Sequence, residues 1–550
     1  MNFLEIIRLK SKLFYLFLVI LGLVSSLTNI GILLLINMTL GGEVIPILYE
    51  YKAIAFILLL TLSYFTTRFF QNYIVSITND ILFDLELSIV EKVRNSSFES
   101  FEKLGVEKIY AAISDARVLS RIPEIFVTLV NSFVTIVCAL GYLYWVSSTG
   151  ATIILIVMAN LLLIYYARNE KLEKDLNQVR DLQNLYYRSL QELLLGFKQI
   201  RISALRSNNL FNQYILPNRN KSRDLSVHTS HQYVLNQLIG VYSWYLLFGV
   251  ILFLLPLIIN LSIGEIAAFI TSALFMMTPI AQLISFFPFY TNSKIALQRI
   301  DNIYKELESN AARTANTSAN NRMISQDFET IRFENISYQY TVGDKSSFAL
   351  DSLNIQINRG EKVFIIGGNG SGKSTFINVF TGLCRPSSGK IFVNEKEVTW
   401  EEYSMFNNNM AVVYSNQHLF KQNYDDHELN EENKHFLEYR NLFNLRDVLR
   451  IEKEKTNINT KLSKGEQKRF SLLLSLLENK PILVLDEWAA EQDPVNRRYF
   501  YTQWLKRIIN MDKTVIAVSH DDDFYYVADR IIKFDYGKVA TDTAIVTSSI

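Results

Sequence analysis

The sequence predicts two unlike parts: an all-α half with six membrane-spanning helices, then an α/β domain on a largely parallel sheet. Three observations carry this. Up to about residue 300, six apolar stretches recur, each near or above the roughly 20 residues that a helix needs to cross a hydrocarbon layer. Beyond the stretch NAARTANTSANNR, which has almost nothing to bury, the pattern changes. There the short β-rich runs FENISYQY, KVFIIGG, KPILVLDE and KTVIAVSH alternate with helical segments. The expected boundaries are residues 1–306 for the helical half, 307–326 for a linker and 327–550 for the α/β domain.

The 550 residues leave room for two or three folded units and exclude a small disulfide-stapled module. With 55 Lys and Arg against 54 Asp and Glu, the net charge of +1 gives no overall pull toward nucleic acid, so no nucleic-acid partner is expected. The two cysteines, Cys138 and Cys384, sit in dissimilar surroundings and build neither a disulfide framework nor a metal cluster.

The six stretches run approximately from Leu13 to Ile36, Ala53 to Ile77, Ile122 to Val146, Ala151 to Ala167, Leu235 to Ile259 and Ile263 to Tyr290. The first is too long for a signal peptide and lacks a small-residue cleavage site, so it reads as retained. Short cytoplasmic loops keep Lys and Arg. The segment from Asn79 to Arg121 carries Lys92, Arg94, Lys103, Lys108, Arg117 and Arg121, and that from Arg168 to Arg223 is richer still. The opposite loops hold only Lys52, which predicts that both chain ends face the cytoplasm. Helical spacing in Leu172, Leu176, Val179, Leu182 and Leu185 extends the membrane helices into the cytoplasm. Arg68, near the middle of the second stretch, is the intramembrane charge to mutate first; it faces a cavity or partner, or snorkels. His228 and His231 lie at i and i+3 without a carboxylate or Cys beside them, which favours an interfacial pair over a metal site.

In the second half, the strand Lys362 to Ile366 runs into Gly367, Gly368, Asn369, Gly370, Ser371, Gly372, Lys373, Ser374 and Thr375, and a helix follows. This is GxxxxGK(S/T) between strand and helix. Backbone N–H groups freed by the glycines wrap phosphate oxygens, Lys373 neutralises the β- and γ-phosphates, and Ser374 ligates Mg²⁺. ATP and Mg²⁺ are therefore the expected ligands. A buried strand, Ile482 to Leu485, ends in Asp486 and Glu487, where parallel sheets place their ligands. Asp486 is expected in the Mg²⁺ shell, and Glu487 as the group that orients or deprotonates the attacking water. The strand Thr514 to Val518 ends in Ser519 and His520, from which the imidazole can sense the γ-phosphate. Leu462, Ser463, Lys464, Gly465, Glu466 and Gln467 precede another helix and read, alone, as a cap.

Together these motifs resemble the ATP-binding cassette (ABC) family over essentially the whole chain, and LSKGEQ resembles its LSGGQ signature. Six spans followed by one cassette look like an ABC exporter half-transporter. The resemblance implies a dimer in which Ser463 and Gly465 of one chain close over the phosphate loop of the other. Intact Glu487 and Ser463 favour two equivalent sites, hence a homodimer. It further implies adenine stacking on Tyr340, where Phe333, Tyr338 and Tyr340 are equally readable as strand aromatics, and it makes Asp493 the loop residue joining the cassettes. Ser415 stands where the family has glutamine, with Gln417 as the nearby substitute. Lys464 and Glu466 depart from the signature; hydrolysis is expected to survive because the hydroxyl and second glycine remain.

The stretch DEWAAEQDP looks like the subgroup of bacterial transporters that export cyclic peptides and peptide siderophores, and ELLLGFKQIR resembles that subgroup's second cytoplasmic loop, whose tip docks on a cassette. The expectation is an ATP-driven exporter of such a cargo across the bacterial inner membrane by alternating access, with membrane lipids around it. A lipid flippase, or a sensor or assembly factor without net transport, is the alternative.

Overall fold

The computed structural model describes residues 12–40, 51–308, 328–342, 345–449 and 462–545. Two compact units divide the chain: Met1–Leu87 with Ala112–Asp301, and Ser88–Ala111 with Asn302–Ile550. The segment Ser88–Ala111 thus groups with the C-terminal unit.

The long helices are Lys12–Leu40, Lys52–Arg94, Ile122–Val146, Ser148–Leu195, Leu216–Gly249 and Ile263–Glu308, all in the first unit except the C-terminal ends of the second and the last. Among the described residues, five helical stretches are long and apolar enough to cross a membrane. The predicted fourth span contributes a shorter apolar run, Ser148–Ile164. Apolar side chains such as Phe65, Trp145, Leu163 and Phe253 are exposed, as lipid-facing residues are. With lipid as apolar as the side chains, the helices associate through close packing and polar contacts. The Ser25 and Thr67 hydroxyls lie 3.0 Å apart, Ser63 donates to Asn29 at 2.6 Å, Ser132 donates to Gln282 at 2.6 Å, and Thr271 donates to Asn37. A Cβ on Gly22 would lie 2.3 Å from the Asn131 amide oxygen, so any larger residue there would require the Asn131 side chain to shift. The helices Ser148–Leu195 and Leu216–Gly249 continue well past their apolar runs, the first through the helical spacing of Leu172 to Leu185.

The second unit holds two sheets. An antiparallel sheet has strand order β2-β1-β4-β5, from β1 (Thr330–Val342), β2 (Lys345–Asn358), β4 (Ser388–Val393) and β5 (Lys396–Val398). The other has order β10-β9-β3-β8-β7-β6, from β3 (Lys362–Gly367), β6 (Met410–Val413), β7 (Ile482–Asp486), β8 (Thr514–Val518), β9 (Arg530–Asp535) and β10 (Lys538–Ala544). All but its β9–β10 pair are parallel. Strands β7 and β8 are buried at every residue, which is why they read as unbroken apolar runs. The predicted linker lies outside the described residues, except that the last long helix runs through Glu308.

Candidate functional site

Register brings the site together. Ile365 pairs with Val518, Val518 with Asp486, and Leu485 with Val413, so β3, β8, β7 and β6 end at one edge of the sheet. The residues that follow these strands therefore emerge side by side, where open parallel sheets bind ligands.

After β3 the backbone turns through Gly367 (φ 147°), Gly370 (φ 75°) and Gly372 (φ 106°), conformations that side chains rarely allow. A Cβ on Gly367 would lie 2.4 Å from the Phe534 carbonyl oxygen. The helix Lys373–Phe380 has no side-chain cap, so its first N–H groups are available to an anion. Gly368, Asn369, Gly370 and Ser374 are exposed, whereas Ser371, Gly372 and Thr375 are buried. Lys373 folds back over the loop, donating to the Gly367 and Gly368 carbonyls at 2.9 Å each. Burial pulls its ammonium pKa down, opposed by the charges of Glu487 and Asp486.

Asp486 is 4% exposed. Its Oδ2 accepts from the Ser415 N–H at 3.4 Å, while its buried Oδ1 has no partner. Burial pushes this carboxyl upward despite the Ser415 hydrogen bonds. An orphaned buried carboxylate oxygen beside the phosphate loop, with an exposed Ser374 hydroxyl at the helix start, is a donor set that fits Mg²⁺. Glu487 adopts left-handed backbone (φ 50°, ψ 37°), rare for a non-glycine residue. Its Oε1 lies 3.1 Å from His520 Nε2, and since a carboxylate only accepts, the imidazole N–H donates. Of the two candidates after β6, Ser415 touches Asp486, and the Gln417 amide oxygen is buried and unpartnered.

Ser463 caps the helix Lys464–Leu477 in a reciprocal capping box with Glu466. The observed helix thus begins four residues before the predicted one. The Ser463 hydroxyl also donates to Glu466 Oε2 at 2.8 Å, and hydrogen bonds from Ser463 hold the Glu466 carboxyl below its usual range. Gly465 lies close to Gln492, whose amide donates to its carbonyl at 3.1 Å. Asp493 caps the helix Pro494–Tyr499, accepting from the Val495 and Asn496 N–H groups at 3.0 and 2.9 Å. Tyr340 is half-buried, edge-on to Tyr338 with ring centroids 5.0 Å apart, and its hydroxyl faces Thr375 and Asn378 beside the phosphate loop.

Two sets of residues escaped the sequence reading. Lys468, 5% exposed, donates to the Tyr414 carbonyl at 2.7 Å, tying the signature helix to the segment that touches Asp486. Its position six residues after Leu462 gave no signal, because a Lys on a helix reads as solvated. Ser519 and Asp521 flank His520 and share the Tyr501 hydroxyl, at 2.8 and 2.9 Å. That brace joins residues separated by 18 and 20 positions, which periodicity does not link. Among the described residues no group of three or more His, Cys, Asp or Glu is placed to hold a metal ion, and Cys138 and Cys384 are not bonded to each other.

A family described as "ABC transporter" matches residues 350–490. ATP-binding protein SyrD of Pseudomonas syringae pv. syringae is 26% identical over 547 residues, covering 95% of this chain and 93% of that protein. Subtilin transport ATP-binding protein SpaT of Bacillus subtilis is 21% identical, covering 92% and 86%. An ATP-dependent lipid A-core flippase of Burkholderia orbicola is 21% identical, covering 87% and 80%. In fold the chain is similar to a bacterial Atm1-family ABC exporter with ATP bound, with a TM-score of 0.71, 17% identity, and coverage of 97% of this chain and 94% of that one. The fold over the chain is that of an ABC exporter, and the ABC transporter match over residues 350–490, with exporter relatives, supports an ATPase coupled to translocation.

Proposed function

We propose that the chain exports a cyclic peptide or peptide siderophore-like cargo from the cytoplasm across a bacterial inner membrane, as a homodimer working by alternating access. The observation that carries this reading is the convergence of the phosphate loop, Asp486, Glu487 and His520 on one sheet edge, in a chain whose other unit is a bundle of membrane-length helices. Names of relatives support the cargo class: SpaT is described as a subtilin transport protein. The tip of the second cytoplasmic loop supports the dimer, because Leu195, Phe197, Ile202 and Leu205 are all more than half exposed there, an apolar set that a second cassette would cover.

In this reading the loop N–H groups and Lys373 bind the ATP phosphates, with Tyr340 against adenine. Ser374 and Asp486 hold Mg²⁺, which when bound neutralises phosphate charge. Glu487 takes or orients the proton of the attacking water, and His520 fixes its carboxylate by the 3.1 Å hydrogen bond. Ser463, Gly465 and Asp493 of one chain complete the site of its partner. ATP closes the cassettes, closure turns the membrane half outward, and hydrolysis resets it; this requires that the two states bind ATP with different affinity. Both chain ends lie in the cytoplasm, and residues 307–326 link the halves.

Vesicles holding only this protein test the reading. ATP-dependent accumulation of a cyclic peptide, lost in Glu487→Gln while ATP binding persists, is the expected result. Ligand-stimulated ATPase without accumulation would favour a sensor. The lipid A-core flippase relatives carry a second reading, lipid translocation, which predicts ATP-dependent flipping of a labelled lipid in the same vesicles.

A further inference from the structure

One face of the helix Leu216–Gly249 changes character along its length. At the spacing of three and four residues that defines a helical stripe, it carries Arg219, Arg223, Ser226 and Ser230, then Tyr233 and Gln237, then Gly240, Trp244 and Leu247. The adjoining flank, one residue back from the stripe at Asn218, Ser222, Thr229 and Asn236, is buried, and Leu247 is buried with it. Two concavities lie along this stripe. A cavity of about 530 Å³ is walled by its Tyr233-to-Leu247 part, with Met158 and Leu161 from the helix Ser148–Leu195 and Met277 and Ile280 from the helix Ile263–Glu308. An open groove of about 420 Å³ continues over Arg219, Arg223, Ser226, Ser230 and His231.

The walls of the cavity are mainly aliphatic, thioether and aromatic side chains, with Gln237, Ser243 and Ser285 among them; the thioethers adapt to a flexible hydrocarbon chain, and its size suits a small-molecule site. The groove is basic. Arg219 is held by its stacking on the Tyr186 ring at 4.8 Å, and Asp224 takes two of the five N–H donors of Arg223, leaving the others to a ligand. Reach decides between a lipid and a larger ligand. At the rise of an α-helix, Arg223 and Arg219 lie about 15 and 21 Å beyond Tyr233, away from the apolar run. A phospholipid with its tail in the cavity keeps its headgroup at the membrane interface and does not extend that far.

We propose that this face is the loading track for the cargo, and that the cargo is an acylated peptide bearing acidic groups: its hydrocarbon chain fills the cavity and its anionic peptide part lies along Arg219 and Arg223. The inference deepens the transport reading and rests on it for the word cargo. It requires only that one helix face be both greasy and basic in sequence.

Trp244 supplies the probe. Full-length protein in phosphatidylcholine nanodiscs is titrated with N-(9,10-dibromostearoyl)-Glu-Ser-Glu, and quenching is read as the difference between the unaltered protein and Trp244→Phe. The expected result is saturable quenching of Trp244. Replacing both Glu residues of the probe by Gln and amidating its end, or making Arg219→Gln with Arg223→Gln, raises half-saturation about tenfold, the effect of a few partly screened charge contacts. Lys221→Gln, off the stripe, shifts it less than about twofold. Loss of affinity that ignores probe charge, or an equal loss in Lys221→Gln, overturns the proposal. So does equal quenching by dibrominated phosphatidylcholine alone, which makes bilayer lipid the occupant, or no quenching by either, which leaves the face to a partner subunit. ATP turnover of the same preparation is scored separately: without it the transport reading fails while the binding result stands, and with it a missing quench defeats the track alone.

Discussion

At the scale of single residues, the site depends on how buried charges are answered. Lys468 is a buried ammonium whose pKa burial pulls down, with Glu491, Asp486 and Glu487 opposing. Its bond to the Tyr414 carbonyl holds the segment whose next N–H meets Asp486. Losing a charge-assisted hydrogen bond costs about 1.5–3 kcal/mol. We expect Lys468→Met to lower kcat about tenfold with KM for ATP changed less than about twofold, and Lys468→Arg to recover most of the rate. Steady-state ATPase kinetics on the three proteins check this; an effect on KM alone would contradict it. Glu466 raises a different question, because it places a carboxylate beside the signature serine. Hydrogen bonds from Ser463 lower its pKa, so the folded-state stability it adds is present above the unfolded pKa and is lost as pH falls through the lower folded value. At neutral pH it is ionised and repels a phosphate approaching that helix end. Glu466→Gln keeps an acceptor for the cap and removes the charge, so KM for ATP should fall several-fold; unchanged affinity would mean that Glu466 does not face nucleotide.

Among the elements, the motif DEWAAEQDP shows how sequence and structure divide the information. Asp486 and Glu487 were legible as chemistry because the same sequence carries a phosphate loop; alone, two carboxylates ending a buried strand read equally well as solvated acids. Trp488 and Gln492 were legible only as a likeness to a subgroup. Packing now gives their physical role: the Trp488 indole donates to the Lys468 carbonyl at 2.9 Å and stacks on Phe500 at 4.3 Å, and Gln492 bonds Gly465 and Arg469. Both tie the strand end to the signature helix, so their distinctiveness concerns the inside of the cassette and not the cargo. Trp488→Phe removes a buried hydrogen bond worth about 1 kcal/mol and some packing. The cassette transition in a calorimetric scan should fall by about 2–6 °C; an unmoved transition would show that the indole bond holds nothing. The strands β3, β7 and β8 and the phosphate loop were readable in advance because local patterning and local glycines determine them. The brace of Ser519 and Asp521 by Tyr501 and the tie from Lys468 were not, since they depend on contacts across the sheet edge that only folding creates.

Over the whole molecule, the division into a helical and an α/β part was plain from hydropathy, while the segment Ser88–Ala111 was not assigned to the second unit. Its sequence is simply that of a cytoplasmic loop, yet Phe98 packs against the cassette core and Glu99 accepts the Arg385 N–H at 3.2 Å. A tertiary contact between residues so far apart in the chain has no local signature. The fourth span was also harder to delimit than the rest, because its apolar run passes into a polar cytoplasmic helix without a break.

The central claim is that ATP held between two cassettes drives the membrane half from one opening to the other. Spin labels at Glu395→Cys in the Glu487→Gln protein, with Cys138 and Cys384 replaced by Ser, report the distance between the two copies by pulsed electron resonance in lipid. The account predicts that ATP with Mg²⁺ shortens that distance into a single narrow population, and that Lys373→Ala prevents the change. A distance distribution that is the same with and without nucleotide, or no second copy within range, would contradict it.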